Sequence, residues 1–167
     1  WGGTLFTEPC IKAMFSDATR VFKLEYHCHS IGKLGEDGTE ELVVELKQRL
    51  SAGVKVRLHY RVFEKHDIIE KYAEIANESE EAVTLENVQS AVWYLPDGFG
   101  YRMTHLAGKW AGETQIRQAV LTEGKKVIES RRGTTSPHAN PWFAIDGGSA
   151  DEDCGSVWFG ALGWSGN

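Results

Sequence analysis

One segment constrains this fold more than any other. Val54, Val56, Leu58, Tyr60 and Val62 alternate without a break with Lys55, Arg57, His59 and Arg61. Strict period two places successive side chains on opposite faces of a strand. It predicts a β-strand with an apolar face against a core and a basic face toward solvent. A helix would scatter the same residues around its axis, so the segment commits the chain to sheet.

Further apolar stretches have strand length and end in turn-forming residues. Val21-Phe22-Lys23-Leu24-Glu25-Tyr26 alternates. Ala82-Val83-Thr84-Leu85 follows the polar run Asn77-Glu78-Ser79-Glu80-Glu81. Ser90-Ala91-Val92-Trp93-Tyr94-Leu95 runs into Pro96-Asp97-Gly98, and Val127-Ile128 follows Glu123-Gly124. Trp142-Phe143-Ala144-Ile145 runs into Asp146-Gly147-Gly148, and Val157 to Leu162 follows Cys154-Gly155. Leu42, Leu46 and Leu50 repeat every four residues, as in an amphipathic helix, while Val43 and Val44 favour a strand. Periodicity leaves that segment open. Many strands, no alternating helices and no internal repeat or low-complexity linker predict an all-β sandwich in one domain, residues 1–167.

Composition removes several functions. A net charge of −6 argues against a nucleic-acid partner. No apolar run is long enough for a helical membrane span. With 41% hydrophobic and 25% charged residues the chain reads as a soluble protein, cytoplasmic or secreted. The three cysteines, Cys10, Cys28 and Cys154, leave at least one thiol unpaired and argue against a disulfide framework. The chain opens at Trp1 without Met and closes in the apolar stretch around Trp164, so both ends look cut.

Candidate chemistry is sparse. His27-Cys28-His29 is the most metal-like run, because on a regular strand His27 and His29 share a face. With no spaced Cys or His to complete the set, ordinary strand residues are the simpler reading. Asp151-Glu152-Asp153 and Glu78-Ser79-Glu80-Glu81 read as solvated loops rather than the paired carboxylates of a glycosidase. No nucleophile elbow, phosphate loop or dinucleotide fingerprint occurs. The six tryptophans are more informative. Trp93, Trp158 and Trp164 stand in apolar strands and are expected in the core. Trp1, Trp110 and Trp142, beside Gly or Pro, are candidates for a surface, a domain interface or a sugar contact. Arg131-Arg132-Gly133-Thr134-Thr135-Ser136 offers guanidinium forks for carboxylates. On a strand Arg131 and Arg132 point to opposite faces, and Glu129 is a near candidate partner for the buried one.

Longer motifs give a specific resemblance. Thr104-His105-Leu106-Ala107-Gly108-Lys109-Trp110-Ala111-Gly112-Glu113 resembles the T-H-L-A-G-x-W-A-x-E stretch of glycoside hydrolase family 36. Ile128-Glu129-Ser130-Arg131-Arg132-Gly133-Thr134-Thr135-Ser136 resembles its I-E-S-R-R-G-T-T-S segment, and Asn140-Pro141 the N-P after it. Trp1-Gly2-Gly3 with Phe6-Thr7-Glu8-Pro9, Leu58-His59-Tyr60-Arg61-Val62-Phe63-Glu64, Leu95-Pro96-Asp97-Gly98 and Trp164-Ser165-Gly166-Asn167 extend the match from end to end. Departures exist. Members often read S-H-x-H-N-P where this chain has Ser136-Pro137-His138-Ala139-Asn140-Pro141, so neither histidine column is kept.

The resemblance implies an antiparallel β-supersandwich similar to mutarotase-like proteins, with the Leu42 to Leu50 segment as strand. The family's N-terminal domain continues beyond the W-S-G-N position, which implies a sandwich short of its last strands. The resemblance also implies a retaining α-galactosidase of the melibiase type, acting on α-galactosides such as melibiose and raffinose. Its catalytic aspartates belong to a following (β/α)8 barrel, the implied partner within the same chain. No residue here inherits a catalytic role, and no cofactor or metal is implied. Trp110, Glu113, Arg131, Arg132 and Trp142 remain as candidate domain-interface or sugar-contact residues, and the whole enzyme is expected to be a homo-oligomer. Two other readings compete: a stand-alone carbohydrate-binding module, and a mutarotase-like enzyme, which needs a histidine and a carboxylate converging in a cleft.

Overall fold

A computed structural model describes residues 8–35, 38–50, 53–98, 100–130 and 138–163. Every described strand pairs antiparallel, as expected, and a single 3₁₀ turn stands at Glu64–His66 among the described residues. It divides into two units, Trp1–Tyr94 and Leu95–Asn167. No helix among the described residues is long and apolar enough to cross a membrane.

The first unit contains β1 (Ile11–Met14), β2 (Leu24–Leu34), β3 (Thr39–Gln48), β4 (Val54–Phe63), β5 (Ile68–Asn77) and β6 (Thr84–Val88). β2 to β5 form a meander in that order, and β1 pairs with β6 in a separate ribbon. The alternating segment is β4, an inner strand. Its apolar positions share rows with Leu46 and Val44 of β3 and Ile75 and Ala73 of β5. The ribbon covers that face at one end, where Ala13, Phe22, Val54 and Val56 are buried and Ile11, Phe15, Leu46, Leu58 and Ile75 pack around them. The face is bare at its other end: Ile31, Val62 and Ile69 are exposed.

The resemblance, rather than the ambiguous periodicity, had the Leu42 to Leu50 segment right, since β3 is a strand through Gln48. The expectation that His27 and His29 share a face fails. A β-bulge stands between Tyr26, opposite Leu46, and Cys28, opposite Glu45. His27 is the inserted residue, and the insertion resets the alternation. His29 instead bonds through Nδ1 with the Tyr26 hydroxyl at 2.6 Å.

The second unit contains β7 (Arg102–Lys109), β8 (Gly112–Val120), β9 (Ala139–Asp146) and β10 (Val157–Ala161), ordered β10-β9-β7-β8. β7 and β8 lack a clean apolar alternation because β8 is an exposed edge and β7 is half-buried along most of its length. Residues 90–95 and 127–128, expected as strands, take no regular structure. Trp93 accordingly leaves the core and is 59% exposed, and Trp158 in β10 is exposed too. Both expectations of a core role are corrected: without a strand, nothing turns the Trp93 side chain inward, and β10 is the outer strand of its sheet. Trp1 and Trp164 lie outside the described residues. Cys10, Cys28 and Cys154 are all free and exposed.

Candidate functional site

The β7–β8 hairpin presents the most prominent surface group. Lys109 pairs with Gly112, so Trp110 and Ala111 form the tip. Ala111 carries φ 59°, a left-handed conformation uncommon for a residue with a Cβ. The Glu113 carboxylate accepts a hydrogen bond from the Ala111 amide at 3.0 Å and braces the turn. Trp110 then stands 87% exposed on a short, held loop. Glu113, a candidate contact residue, therefore acts first as a turn brace. Trp142 lies elsewhere in this sheet, half-buried in β9 opposite Ala161. Trp110 and Glu113 are brought together by the turn, whereas Arg131 and Arg132 lie outside the described residues.

A second constellation, missed in the sequence, joins three strands of this sheet. Arg102 of β7 is opposite Asp146 of β9, which is opposite Val157 of β10. Arg102 Nε donates to Asp146 Oδ2 at 3.0 Å, and its Nη2 donates to the Ala150 carbonyl at 2.6 Å. The Gly148 amide donates to Asp146 Oδ1 at 2.6 Å, and the Ala150 amide does so at 3.4 Å. Burial pushes this carboxyl up, but the Arg102 hydrogen bond and the two amides outweigh it and hold it below the usual carboxylate range. The signal in the sequence was the Asp-Gly-Gly turn, which gives no hint of Arg102.

The polar face of the first unit's meander is an ion-pair lattice rather than a plain solvated surface. Arg57 lies between Glu45 of β3 and Glu74 of β5, at 3.2 and 3.6 Å. Arg61 lies between Glu41 and Glu70, at 2.9 and 3.1 Å. The hydrogen bond from Arg61 is the main cause holding the Glu41 carboxyl below its usual value. His59, expected toward solvent, is buried instead, its ring stacked on Tyr72 at 4.4 Å. Its Nδ1 donates to Glu41 at 3.2 Å, while Nε2 stands 3.5 Å from Glu74 without a hydrogen bond.

A histidine thus does meet carboxylates. A cleft of about 560 Å³ elsewhere in this unit is lined by Phe15, Ser16, Asp17, Gln48 and Glu81 among others, with no histidine among the lining residues described. Its acids are engaged. Asp17 accepts from the Thr19 amide and hydroxyl at 2.9 and 2.7 Å, which holds its carboxyl below the usual range, and Glu81 accepts from the Ser16 hydroxyl. No histidine converges with these acids, so the mutarotase-like reading finds no support in this cleft.

Antiparallel sheets with self-bracing charges and an exposed aromatic tip define an all-β module. The glycosyl hydrolase family 36 N-terminal domain profile matches residues 1–167, and the chain belongs to that family. Alpha-galactosidase AgaA of Geobacillus stearothermophilus is 30% identical over 179 residues, covering 100% of this chain and 24% of that protein. The crystal structure of AgaA superposes with a TM-score of 0.89 at 29% identity, covering 99% of this chain and 25% of that one. An alpha-galactosidase structure from Lactobacillus brevis gives a TM-score of 0.87 at 25% identity, over 96% of this chain and 23% of that one. The chain therefore spans about a quarter of the relatives it matches.

Proposed function

We propose that residues 1–167 form the N-terminal β-sandwich domain of a retaining α-galactosidase that releases terminal α-galactose from melibiose- and raffinose-type sugars. The observation that carries this reading is the end-to-end family match to one quarter of α-galactosidases. AgaA has also been crystallised with raffinose, in a variant structure with a TM-score of 0.90 to this chain. In this reading the chemistry belongs to a (β/α)8 barrel in the same polypeptide, and the domain supports that barrel and assembly of a homo-oligomer. The bare apolar end of the meander, Ile31, Val62 and Ile69, and the Trp110 tip are the surfaces it would use. Arg131, Arg132 and Trp142 are further candidates for the same contacts.

The test compares this chain with the whole protein on a chromogenic α-galactoside. Hydrolysis by the whole protein and none by the chain is expected. Activity in the purified chain would overturn the assignment of chemistry to the barrel. Because Trp110 is so exposed, Trp110→Ala is expected to change the chain's unfolding free energy by less than about 0.5 kcal/mol. In the whole protein the same change is expected to weaken assembly or thermal stability, read by gel filtration and calorimetry. If neither moves, Trp110 is not an interface residue.

A second reading, a carbohydrate-binding module, draws on the same side chain, since an exposed indole can stack on a sugar ring. Titrating raffinose against the chain while following tryptophan fluorescence tests it. No change at millimolar sugar removes it.

A further inference from the structure

The bulge in β2 creates a constellation that the reading above does not use. Because His27 is inserted, it and Cys28 both gather against Glu45, the residue opposite Cys28. One ligand atom from each of His27, Cys28 and Glu45 lies within 4.8 Å of the other two. Imidazole nitrogen, thiolate sulfur and carboxylate oxygen are the donors zinc takes, at about 2.0–2.3 Å. Donors on a tetrahedron of that size stand roughly 3.5 Å apart. Closing the present spacing needs only rotation of side chains, His27 and Cys28 being exposed and Glu45 half-buried.

A cation already stands at this place. Lys47 Nζ is 2.7 Å from His27 Nε2 and 3.9 Å from Glu45 Oε1. An ammonium has only donors, so His27 Nε2 presents its lone pair, the same one a metal takes. The other Glu45 oxygen accepts from Arg57 Nε at 3.2 Å, which orients the carboxylate from outside, as outer partners do at metal sites. His29 is engaged with Tyr26 and leaves the fourth position to water.

We propose that His27, Cys28 and Glu45 form a binding site for a divalent cation of the zinc class, with Lys47 as a built-in competitor for it. On binding, the Cys28 thiol releases its proton to solvent, a metal–sulfur bond forms, and the Lys47 ammonium swings out. No electron is transferred. The proposal does not rest on the galactosidase reading, so its failure would leave that reading untouched.

The probe is Co2+ titrated into the reduced chain, followed by Zn2+ competition. One Co2+ per chain with a thiolate-to-cobalt absorption band is expected. Cys28→Ser should remove the band, and His27→Gln should weaken binding by roughly tenfold or more. Lys47→Met should tighten binding roughly tenfold, because it removes a positive charge a few ångströms from the ion. The circular dichroism of each variant should remain that of the parent, since His27 and Cys28 lie on the exposed edge strand β2 and the Lys47 side chain on β3 is itself exposed. A band that survives Cys28→Ser assigns the metal to another thiol and overturns the proposal. So does Lys47→Met binding no tighter than the parent, a gain that misfolding cannot imitate.

Discussion

Asp146→Ala is expected to cost the second unit about 3 kcal/mol, because a buried carboxylate and its charge-assisted hydrogen bonds are lost. The carboxylate is 4% exposed at the residue level and sits where β7, β9 and β10 meet. Removing it leaves Arg102 with only its bond to the Ala150 carbonyl and leaves the Gly148 and Ala150 amides without their acceptor. Asp146→Asn keeps an oxygen for the amides and loses the charge, so it should fall between Ala and the parent. Urea unfolding measures the order, with a lower midpoint and an unchanged slope expected. An Ala variant within about 0.5 kcal/mol of the parent would show that the carboxylate does not hold the three strands together.

The same group sets a pH dependence. Its pKa in the folded protein is held below that of an unfolded carboxyl, about 3.9. Its contribution is therefore complete above the unfolded value and is lost as pH falls through the folded one. The gap between the parent and the Ala variant should be widest near neutrality and shrink in acid below about pH 4.

Gly53→Ala is expected to cost the first unit about 3 kcal/mol or more, combining backbone strain with overlap. Gly53 has φ +109°, a conformation that residues with a Cβ rarely adopt, and a Cβ built there would stand 2.7 Å from the Ser79 amide nitrogen and 2.9 Å from Ser79 Cβ. That backbone cannot easily retreat. The Gly53 carbonyl accepts from the Glu78 amide at 2.7 Å, and Asn77 Oδ1 holds the Ser79 hydroxyl at 2.6 Å. The change also sits one residue from Val54, a wholly buried core side chain. Gly38→Ala is the control, since Gly38 has φ +83° with open space around it. It should cost only the backbone term, about 1 kcal/mol. Equal losses in the two variants, measured by thermal unfolding, would show that contact with Ser79 contributes nothing.

Much of the fold was legible because period two is a local property. β4 and β9 announced themselves, and the motifs shared with family 36 assigned β3 where periodicity alone left helix and strand open. β7 and β8 did not, because half-buried and edge strands carry polar side chains on both faces. Trp93 was expected in the core because apolar neighbours surround it in sequence, yet 90–95 never joins a sheet. Of the candidate contact residues, the sequence marked Trp110 correctly as a surface group, while the role of Glu113 as its turn brace needed coordinates.

The sequence pattern by itself determined that this chain is built of β-sheet and which side of β4 is charged, since alternation fixes the face of every side chain. Only the tertiary structure decided who stands beside whom. Register placed Glu45 and Glu74 on either side of Arg57, and one inserted residue turned His27 and Cys28 toward Glu45. Strand pairing is a long-range choice, made by the packing of whole sheets, and no local pattern encodes it.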